Sequence, residues 1–222
     1  MSNQYQIDLK KYSLQKYKKS LQSRDMIPSR KSLKDELDAR FRILKERGIK
    51  NLKELIDALK TKQKIEQFSK ETGLSIQYLT LLNREARSYI SKPIRLDKFS
   101  GIQTKYLDRL DDVGIRNTRQ LFVEAQDKRK REQLAKEIEI PLDLLNELVG
   151  LSDLSRAYGV GPVFARMIFD MGIRSIREFV ECTAEDFIRI YEEQTQKKAD
   201  FGVGEIQFSL ELARDLDIAI DM

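Results

Sequence analysis

An apolar, helix-forming segment is preceded by Gly159, Val160, Gly161 and Pro162. These residue types are suited to holding an anion. The glycines permit a turn with positive φ angles, and proline is tolerated at the first position of a helix, where its missing amide hydrogen costs nothing. The amides of the first helical turn then face outward at the positive end of the helix dipole. The spacing therefore predicts a hairpin that can hold a phosphate oxygen through main-chain amides.

Basic side chains recur near this hairpin and at two other places. Three arginines follow it closely, a related segment begins at Gly101, and a basic run begins at Lys128. The candidate phosphate-binding residues are Gly159, Val160, Gly161, Pro162, Arg166, Arg174, Arg177, Gly101, Ile102, Lys105, Arg116, Arg119, Lys128, Arg129, Lys130 and Arg131.

Each group also has an interpretation without a ligand. The glycine hairpins can be structural corners between packed helices. In the basic run, Glu132 and Glu137 follow at helical spacing and can pair with the cations, so the solvated start of a helix is preferred there. The lysines and tyrosines of residues 5–19 can follow a nucleic-acid backbone. Because residues 9, 12, 14, 17 and 21 are all leucine or tyrosine, we favour an amphipathic helix there and leave its partner open.

Several kinds of catalytic and metal chemistry are excluded by composition. The chain has no histidine and one cysteine, Cys182, which excludes an intrachain disulfide, a four-cysteine iron–sulfur cluster and a cysteine-based zinc site. Adjacent carboxylates such as Asp111 and Asp112 do not share a helix face. We predict no enzyme, no cofactor and no small-molecule substrate; a catalytic subunit of a repair enzyme is the least favoured alternative.

One structural unit recurs about three times along the chain. Residues 44–83 align with residues 110–149 at an offset of 66, with about a third of the positions identical, and residues 101–122 align with 159–180 at an offset of 58. Gly48, Gly114 and Gly172 each precede an isoleucine and can close a helix, while Asn or Ser three residues later can cap the next one. The pattern predicts an all-α chain without strands, with helices over residues 62–72, 76–89, 128–138, 142–153 and 205–216.

The hairpin and the helix that follows it resemble the helix-hairpin-helix motif. The matching residues, from the first glycine to the closing Gly-Ile, are Gly159, Val160, Gly161, Ala165, Ile168, Gly172 and Ile173. This resemblance implies contact with the nucleic-acid backbone without base readout. In the second copy Gln103 and Leu107 replace the second glycine and the alanine, and the first copy has no hairpin glycines.

Residues 44 to about 193 are also similar to an uncharacterised bacterial family of tandem helix-hairpin-helix repeats, described as a domain of unknown function. The fold implied is a set of short-helix bundles of the SAM-like kind. We divide the chain into a basic N-terminal helix or arm (1–28), a first repeat (29–98), a second repeat (99–156) and a third repeat with the motif and an acidic C-terminal helix (157–222).

Charge is unevenly distributed: the net charge is +10 over residues 1–64, +1 over 65–150 and −6 over 151–222. No apolar run approaches the ~20 residues of a membrane span and the N-terminus lacks the apolar core of a signal peptide, so we expect a cytoplasmic protein with no membrane contact. A helix-turn-helix interpretation of residues 67–82 and 133–148 is set aside as packing, because Asp143 and Glu147 of the second copy would meet phosphates.

Sequence-independent binding of a DNA or RNA backbone, more readily DNA, is the leading prediction. The alternative is a protein-interaction adaptor in which the same helical repeats bind a protein partner and no nucleic acid. The two differ in the charge expected around the hairpin, since nucleic-acid affinity depends on neutralising phosphates.

Overall fold

The computed structural model describes residues 4–221, and within this range all regular secondary structure is helical. Thirteen α-helices and two 3-10 helices are present, and the strand-like contacts of these residues are two isolated bridges. The prediction of an all-α chain is confirmed.

The described residues form two compact units. Residues 7–90, here the basic unit, contain 21 Lys and Arg against 11 Asp and Glu. The acidic unit consists of residues 4–6 with residues 91–221; residues 91–222 contain 20 Lys and Arg against 25 Asp and Glu. The segment 1–28, treated as one piece from the sequence, is thus divided between the units, and its first three residues lie outside the described range.

The basic unit consists of five α-helices and a 3-10 helix. The elements are α1 Leu14–Ser23, the 3-10 helix Pro28–Lys34, α2 Leu37–Glu46, α3 Leu52–Ala58, α4 Lys62–Thr72 and α5 Ile76–Arg87. Its core is built from leucines and three tyrosine rings. Tyr12 and Tyr17 each pack edge-on against Tyr89. The N-terminal amphipathic segment is helical from Leu14 onward.

The acidic unit contains eight α-helices and a short 3-10 helix. They are the 3-10 helix Leu96–Lys98, α6 Thr104–Asp112, α7 Thr118–Glu124, α8 Lys128–Glu137, α9 Leu142–Leu154, α10 Pro162–Asp170, α11 Ile176–Glu181, α12 Ala184–Thr195 and α13 Val203–Ala213. Helix α9 packs against α7 and α10 and so forms the centre of this unit. An aromatic cluster of Phe164, Phe179, Phe187 and Phe201 fills the space between α10, α11 and α12.

The helices recur at the offsets found in the sequence. Helices α2–α5 reappear as α6–α9 at an offset of 66, and α6 and α7 reappear as α10 and α11 at an offset of 58, each within two residues. Gly48, Gly114 and Gly172 adopt φ angles of 82°, 83° and 93°. The left-handed conformation expected at these corners is therefore present in each copy. Glycine suits it, because a residue with a side chain would be strained there.

The residue that opens the helix after each corner is held in two different ways. The amides of Leu52 and Thr118 donate to backbone carbonyls, 2.9 Å away in both copies. In the third copy the equivalent amide, that of Ile176, donates to Oδ2 of the buried Asp153 at 2.7 Å. A side-chain carboxylate thus replaces a backbone carbonyl at the same structural position.

Within residues 4–221, no helix is both long and apolar enough to cross a membrane.

Candidate nucleic-acid interface

The hairpin before α10 has one free amide fewer than the sequence suggests. Gly159 is left-handed, with φ 79°, and turns the chain toward the helix. The amide of Val160 donates to the Ala157 carbonyl at 3.2 Å, and its side chain is buried. Val160 therefore anchors the hairpin, and its amide is not free for a phosphate; Gly161 is the first residue that can supply one.

Three amides at the start of α10 are free. Those of Gly161, Val163 and Phe164 have no acceptor among the described residues, and Pro162 has no amide hydrogen. The Val163 side chain is 81% exposed, and a Cβ built on Gly161 meets nothing within 4 Å. The helix therefore presents its unsatisfied donors to open space, which is the arrangement that binds oxyanions at helix N-termini.

Most other helices in the described part of the chain satisfy these donors with a side chain. The capping residues are Ser13, Asn51, Thr61, Ser75, Asn117, Asp127, Ser175 and Thr183. Before α13 the Glu205 carboxylate accepts the Gly202 amide at 3.1 Å. At the N-cap of α2, α6, α9, α10 and α13 no side chain accepts from the helix. Three of these five, α2, α6 and α10, are the first helix of a repeat.

The second hairpin, before α6, has the same open end with a nearby cation. Gly101 is exposed and left-handed, with φ 84°, and Gln103 stands at the N-cap without using its side chain. The amides of Thr104 and Lys105 have no acceptor among residues 4–221, and the Lys105 side chain is exposed. Ile102 is half-buried beneath the turn. The departures from the motif have thus not closed this helix end.

The corresponding end of α2 is unsuited to an anion. Glu36 occupies the N-cap with φ 47°, and Asp38 lies in the first turn. Lys18 lies against Asp38 and holds the pKa of that carboxyl below its usual range, so it stays charged. Two carboxylates at this end would repel phosphate.

Arg166 connects the two hairpin helices internally. Its Nη2 donates to the Ser100 carbonyl at 2.9 Å and to Glu147 at 2.6 Å, while Nη1 lies 3.6 Å from Asp170. The side chain is only 15% exposed. Two carboxylates compensate its charge. Through these contacts Arg166 holds the second hairpin against α9 and α10.

Arg174 and Arg177 remain on the surface near the third repeat's corner. Both side chains are exposed, and the Arg174 guanidinium lies 5.4 Å from the centre of the Phe169 ring. The Arg174 amide donates to Glu178 at 2.6 Å. Of the three arginines predicted beside the hairpin, these two keep an accessible charge.

The arginines of the second corner are partly engaged. Arg116 forms an ion pair with Asp111 through Nε, and Arg119 lies 5.5 Å from the centre of the Tyr5 ring. Arg116 stays exposed, whereas Arg119 is half-buried. These residues stabilise the corner and offer less free charge than their types imply.

Arg131 is buried, contrary to the expectation of an exposed basic run. Its side chain donates to the carbonyls of Ala125 and Gln126, to Asn146 and to the Asp221 carbonyl. Burial lowers the pKa of its guanidinium, and nearby carboxylates oppose this effect. The carbonyls at the end of α7 have no helical partner and accept from Arg131. Arg131 thereby holds the C-terminal residues against the end of α7.

The other members of the run form a solvated helix start. Asp127 caps α8 and lies 3.9 Å from Lys130, and Lys128 lies 3.9 Å from Glu132. Arg129 is exposed. Since exposed pairs of this kind are weak, the cations of Lys128, Arg129 and Lys130 remain accessible to solvent.

The sequence predicted outward-facing amides in the first helical turn and named Val160 and Gly161 as donors, but it did not single out Val163 and Phe164. The signal was present: no Ser, Thr, Asp or Asn stands before Pro162, so the helix has no residue to cap it. Among the described residues no cluster of three or more His, Cys, Asp or Glu is arranged to hold a metal ion.

Comparison with known proteins gives a family without an assigned activity. Residues 100–203 match the model of a family described as Domain of unknown function (DUF4332). The match covers the second repeat and most of the third, both in the acidic unit, and the resemblance to an uncharacterised family is confirmed there. No curated protein and no solved structure matches. The helix-hairpin-helix assignment stays a prediction.

Proposed function

We propose that residues 91–221 bind the phosphodiester backbone of nucleic acid, with DNA the first polymer to test, without reading bases and without catalysis. The observation that supports this proposal is the uncapped, exposed start of α10, where three amides lack acceptors. Backbone binding of this kind requires donors aimed at phosphate oxygens and no fixed side-chain code. The proposed setting is the cytoplasm of a bacterial cell.

Main-chain amides carry more of this proposed contact than arginines do. Arg166 is compensated by Glu147 and Asp170, whereas the amides of Gly161, Val163 and Phe164 face solvent. The second hairpin adds two amides and the Lys105 ammonium at another uncapped end. Because residues 91–222 contain more carboxylates than cations, we expect dissociation constants in the range of non-specific binding, about 10⁻⁴–10⁻⁶ M, and a shallow salt dependence.

The sharpest test is to close the helix end with a cap. Gly161 has φ −85° and ψ −179°, an extended conformation that aspartate adopts, and open space surrounds its Cβ position. In Gly161→Asp the carboxylate accepts the free amides, as Asp127 does at α8, and adds a negative charge. We expect affinity for a duplex of about 20 base pairs to fall by at least roughly tenfold, with unchanged or slightly raised thermal stability.

Gly161→Ala is the matched control, because it adds the Cβ without an acceptor and should retain most of the affinity. Fluorescence anisotropy at about 50 and about 200 mM salt measures both variants against the unsubstituted chain. No binding at the lower salt concentration, or equal binding by Gly161→Asp and Gly161→Ala, would reject the hairpin as a phosphate contact.

A protein-interaction adaptor is the second candidate, and a cleft between α7 and α8 favours it. The cleft has a volume of about 600 Å³, and two of its lining side chains, Val113 and Val123, are 45% and 51% exposed. Apolar side chains open to solvent at a cleft suit a partner's apolar residues. The absence of nucleic-acid binding at low salt would favour this candidate.

A further inference from the structure

The basic unit contains a cleft of about 540 Å³ whose rim is unusually rich in cations. Its floor is apolar, formed by Leu14 at the start of α1, Phe41 in α2 and Ile49 at the corner, all of them buried. The rim residues are Lys18, Asp38, Arg42, Lys45 and Lys50. Four positive groups therefore face one negative group around a hydrophobic floor.

Three of the four cations have no acidic partner. Lys18 pairs with Asp38, so these two charges cancel. Arg42, Lys45 and Lys50 are exposed, and none forms an ion pair within residues 4–221. A concave surface with uncompensated charge of one sign concentrates field and attracts counter-ions. The cleft therefore has a net charge of about three positive units in an already basic unit.

The cleft of the acidic unit shows that volume alone does not create this property. Its lining includes Arg119 and Lys130, but also Glu124 and Glu137, so the formal charges cancel. The two clefts are similar in volume, about 600 and 540 Å³. Charge, and not shape, distinguishes the cleft of the basic unit.

The positions of the cations fit a polymer better than a single phosphate group. Arg42 and Lys45 are three residues apart on α2 and so lie on one face, about 5–6 Å apart at Cβ, and Lys50 follows beyond the corner. One strand of duplex carries a charge every 3.4 Å or so along the axis. Two helix N-termini lie at the cleft. That of α1 is capped, because Ser13 accepts the Lys16 amide at 3.0 Å, and that of α2 carries the Asp38 carboxylate in its first turn, which opposes an anion there.

We infer that the α1–α2 cleft is a second contact surface for the phosphodiester backbone of nucleic acid. Its cations neutralise successive phosphates along one strand, and the apolar floor accommodates the sugars. The contact uses residues of the basic unit alone and does not depend on the hairpins of the acidic unit. It rests on an observation separate from the free amides of α10.

The test uses the full chain and a labelled duplex of about 20 base pairs, titrated by anisotropy over a series of salt concentrations. The cleft variant Arg42→Gln/Lys45→Gln removes two unpaired cations. We expect affinity near 0.1 M salt to fall by roughly tenfold for each cation, and the slope of log affinity against log salt to become shallower by about 0.9 for each.

The matched control is Lys60→Gln/Lys70→Gln, which removes the same charge from exposed, unpaired lysines of the same unit away from the cleft. We expect the control to lose less than roughly threefold, because screened charges act weakly at a distance. Melting temperatures of both variants establish that folding is retained. Equal losses in the two variants, or no loss in the cleft variant, would overturn the inference.

Two further arms separate this inference from the hairpin proposal and from a small ligand. Loss of binding in the cleft variant with no effect of Gly161→Asp supports the cleft and rejects the hairpin; the reverse result rejects the cleft alone. Inorganic tripolyphosphate serves as a competitor at matched phosphate concentration. If it displaces duplex as well as unlabelled duplex does, the cleft is a site for small polyphosphates and the inference fails.

Discussion

The basic and acidic units differ in the ions that they bury. In the basic unit the Glu85 carboxylate is fully buried and is held by Arg24 and Arg30. In the acidic unit the buried charges include the arginines Arg131 and Arg156 and the carboxylate of Asp153. Ions of the minority sign are thus buried in both units, and the acidic unit also buries one carboxylate, which pairs with Arg156.

This difference shows what the buried ions do in each unit. Arg30 lies in the 3-10 helix, so its bond to Glu85 fixes an irregular segment against α5. Arg156 donates to the carbonyls of Gln4, Tyr5 and Asp217, at 3.0, 3.1 and 2.7 Å. In both units a buried ion fixes chain that has few regular hydrogen bonds of its own. The charges on the surface are then the ones that determine which partner binds.

The largest effect is expected from Arg156→Met. The side chain is fully buried, and its loss leaves the Asp153 carboxylate uncompensated and three carbonyls without a donor. We expect the free energy of unfolding of the acidic unit to fall by about 3–5 kcal/mol. Urea denaturation combined with hydrogen exchange measures the loss in each unit. Arg189→Met, at an exposed pair, should have little effect on stability.

Glu85→Gln tests the same principle in the basic unit. It leaves Arg24, whose side chain is 9% exposed, and Arg30 without their shared anion. We expect a loss of about 3 kcal/mol, confined to residues 7–90. Glu132→Gln is the control, because its partner Lys128 is exposed. A loss no greater than that of the control would mean that the buried carboxylate does not organise the unit.

Alkaline pH should weaken the basic unit through its buried tyrosines. Burial raises the pKa values of Tyr17 and Tyr78 above the ordinary value near 10. The unfolded chain therefore loses these protons at lower pH than the folded chain, and the free energy of unfolding falls as pH rises above about 10. The slope is at most about 1.4 kcal/mol per pH unit for each tyrosine. Phenolate absorbance that appears before unfolding and is lost in Tyr17→Phe or Tyr78→Phe would contradict this order of events.

The smallest effect is expected from Tyr78→Phe. The buried Tyr78 hydroxyl has no hydrogen-bond partner in the described part of the chain, and the Arg40 guanidinium lies 4.3 Å from the ring centre. Phenylalanine keeps the ring contact and removes the unsatisfied hydroxyl, so we expect a gain of up to about 1 kcal/mol and a weaker alkaline loss. Tyr17→Phe should instead be destabilising by about 1 kcal/mol, because that hydroxyl donates to the Leu82 carbonyl at 3.4 Å. Thermal denaturation at neutral and alkaline pH distinguishes the two.

Local features of the fold were predictable, because each depends on a few neighbouring residues. The corner glycines, the Asn and Ser caps and the bounds of α4 at Lys62–Thr72 follow from short patterns. Glu139 takes the left-handed conformation that Gly73 takes one repeat earlier, with φ 51° against 74°. The repeat alignment placed the two residues together, although glutamate does not favour that conformation.

Long-range features were not predictable from such patterns. Nothing in a run of basic residues shows that Arg131 would reach the C-terminal carbonyl of Asp221, 90 residues away. A close approach that no short pattern indicates is at Gly150 of α9, where an added Cβ would lie 2.6 Å from the carbonyl oxygen of Arg174 in the corner after α10. The candidate site was predicted as a hairpin, but which of its amides are free depends on how the turn closes.

The assignment of residues 4–6 to the acidic unit has a consequence for how the chain folds during synthesis. The Tyr5 hydroxyl lies 2.5 Å from the Thr118 hydroxyl, its partner 113 residues later. At about 5–20 residues per second, the ribosome takes roughly 6–23 s to make the intervening chain. The basic unit can complete its own contacts in that interval. The N-terminal segment cannot complete its contacts until then. The acidic unit therefore folds around a segment that was synthesised before all of the basic unit.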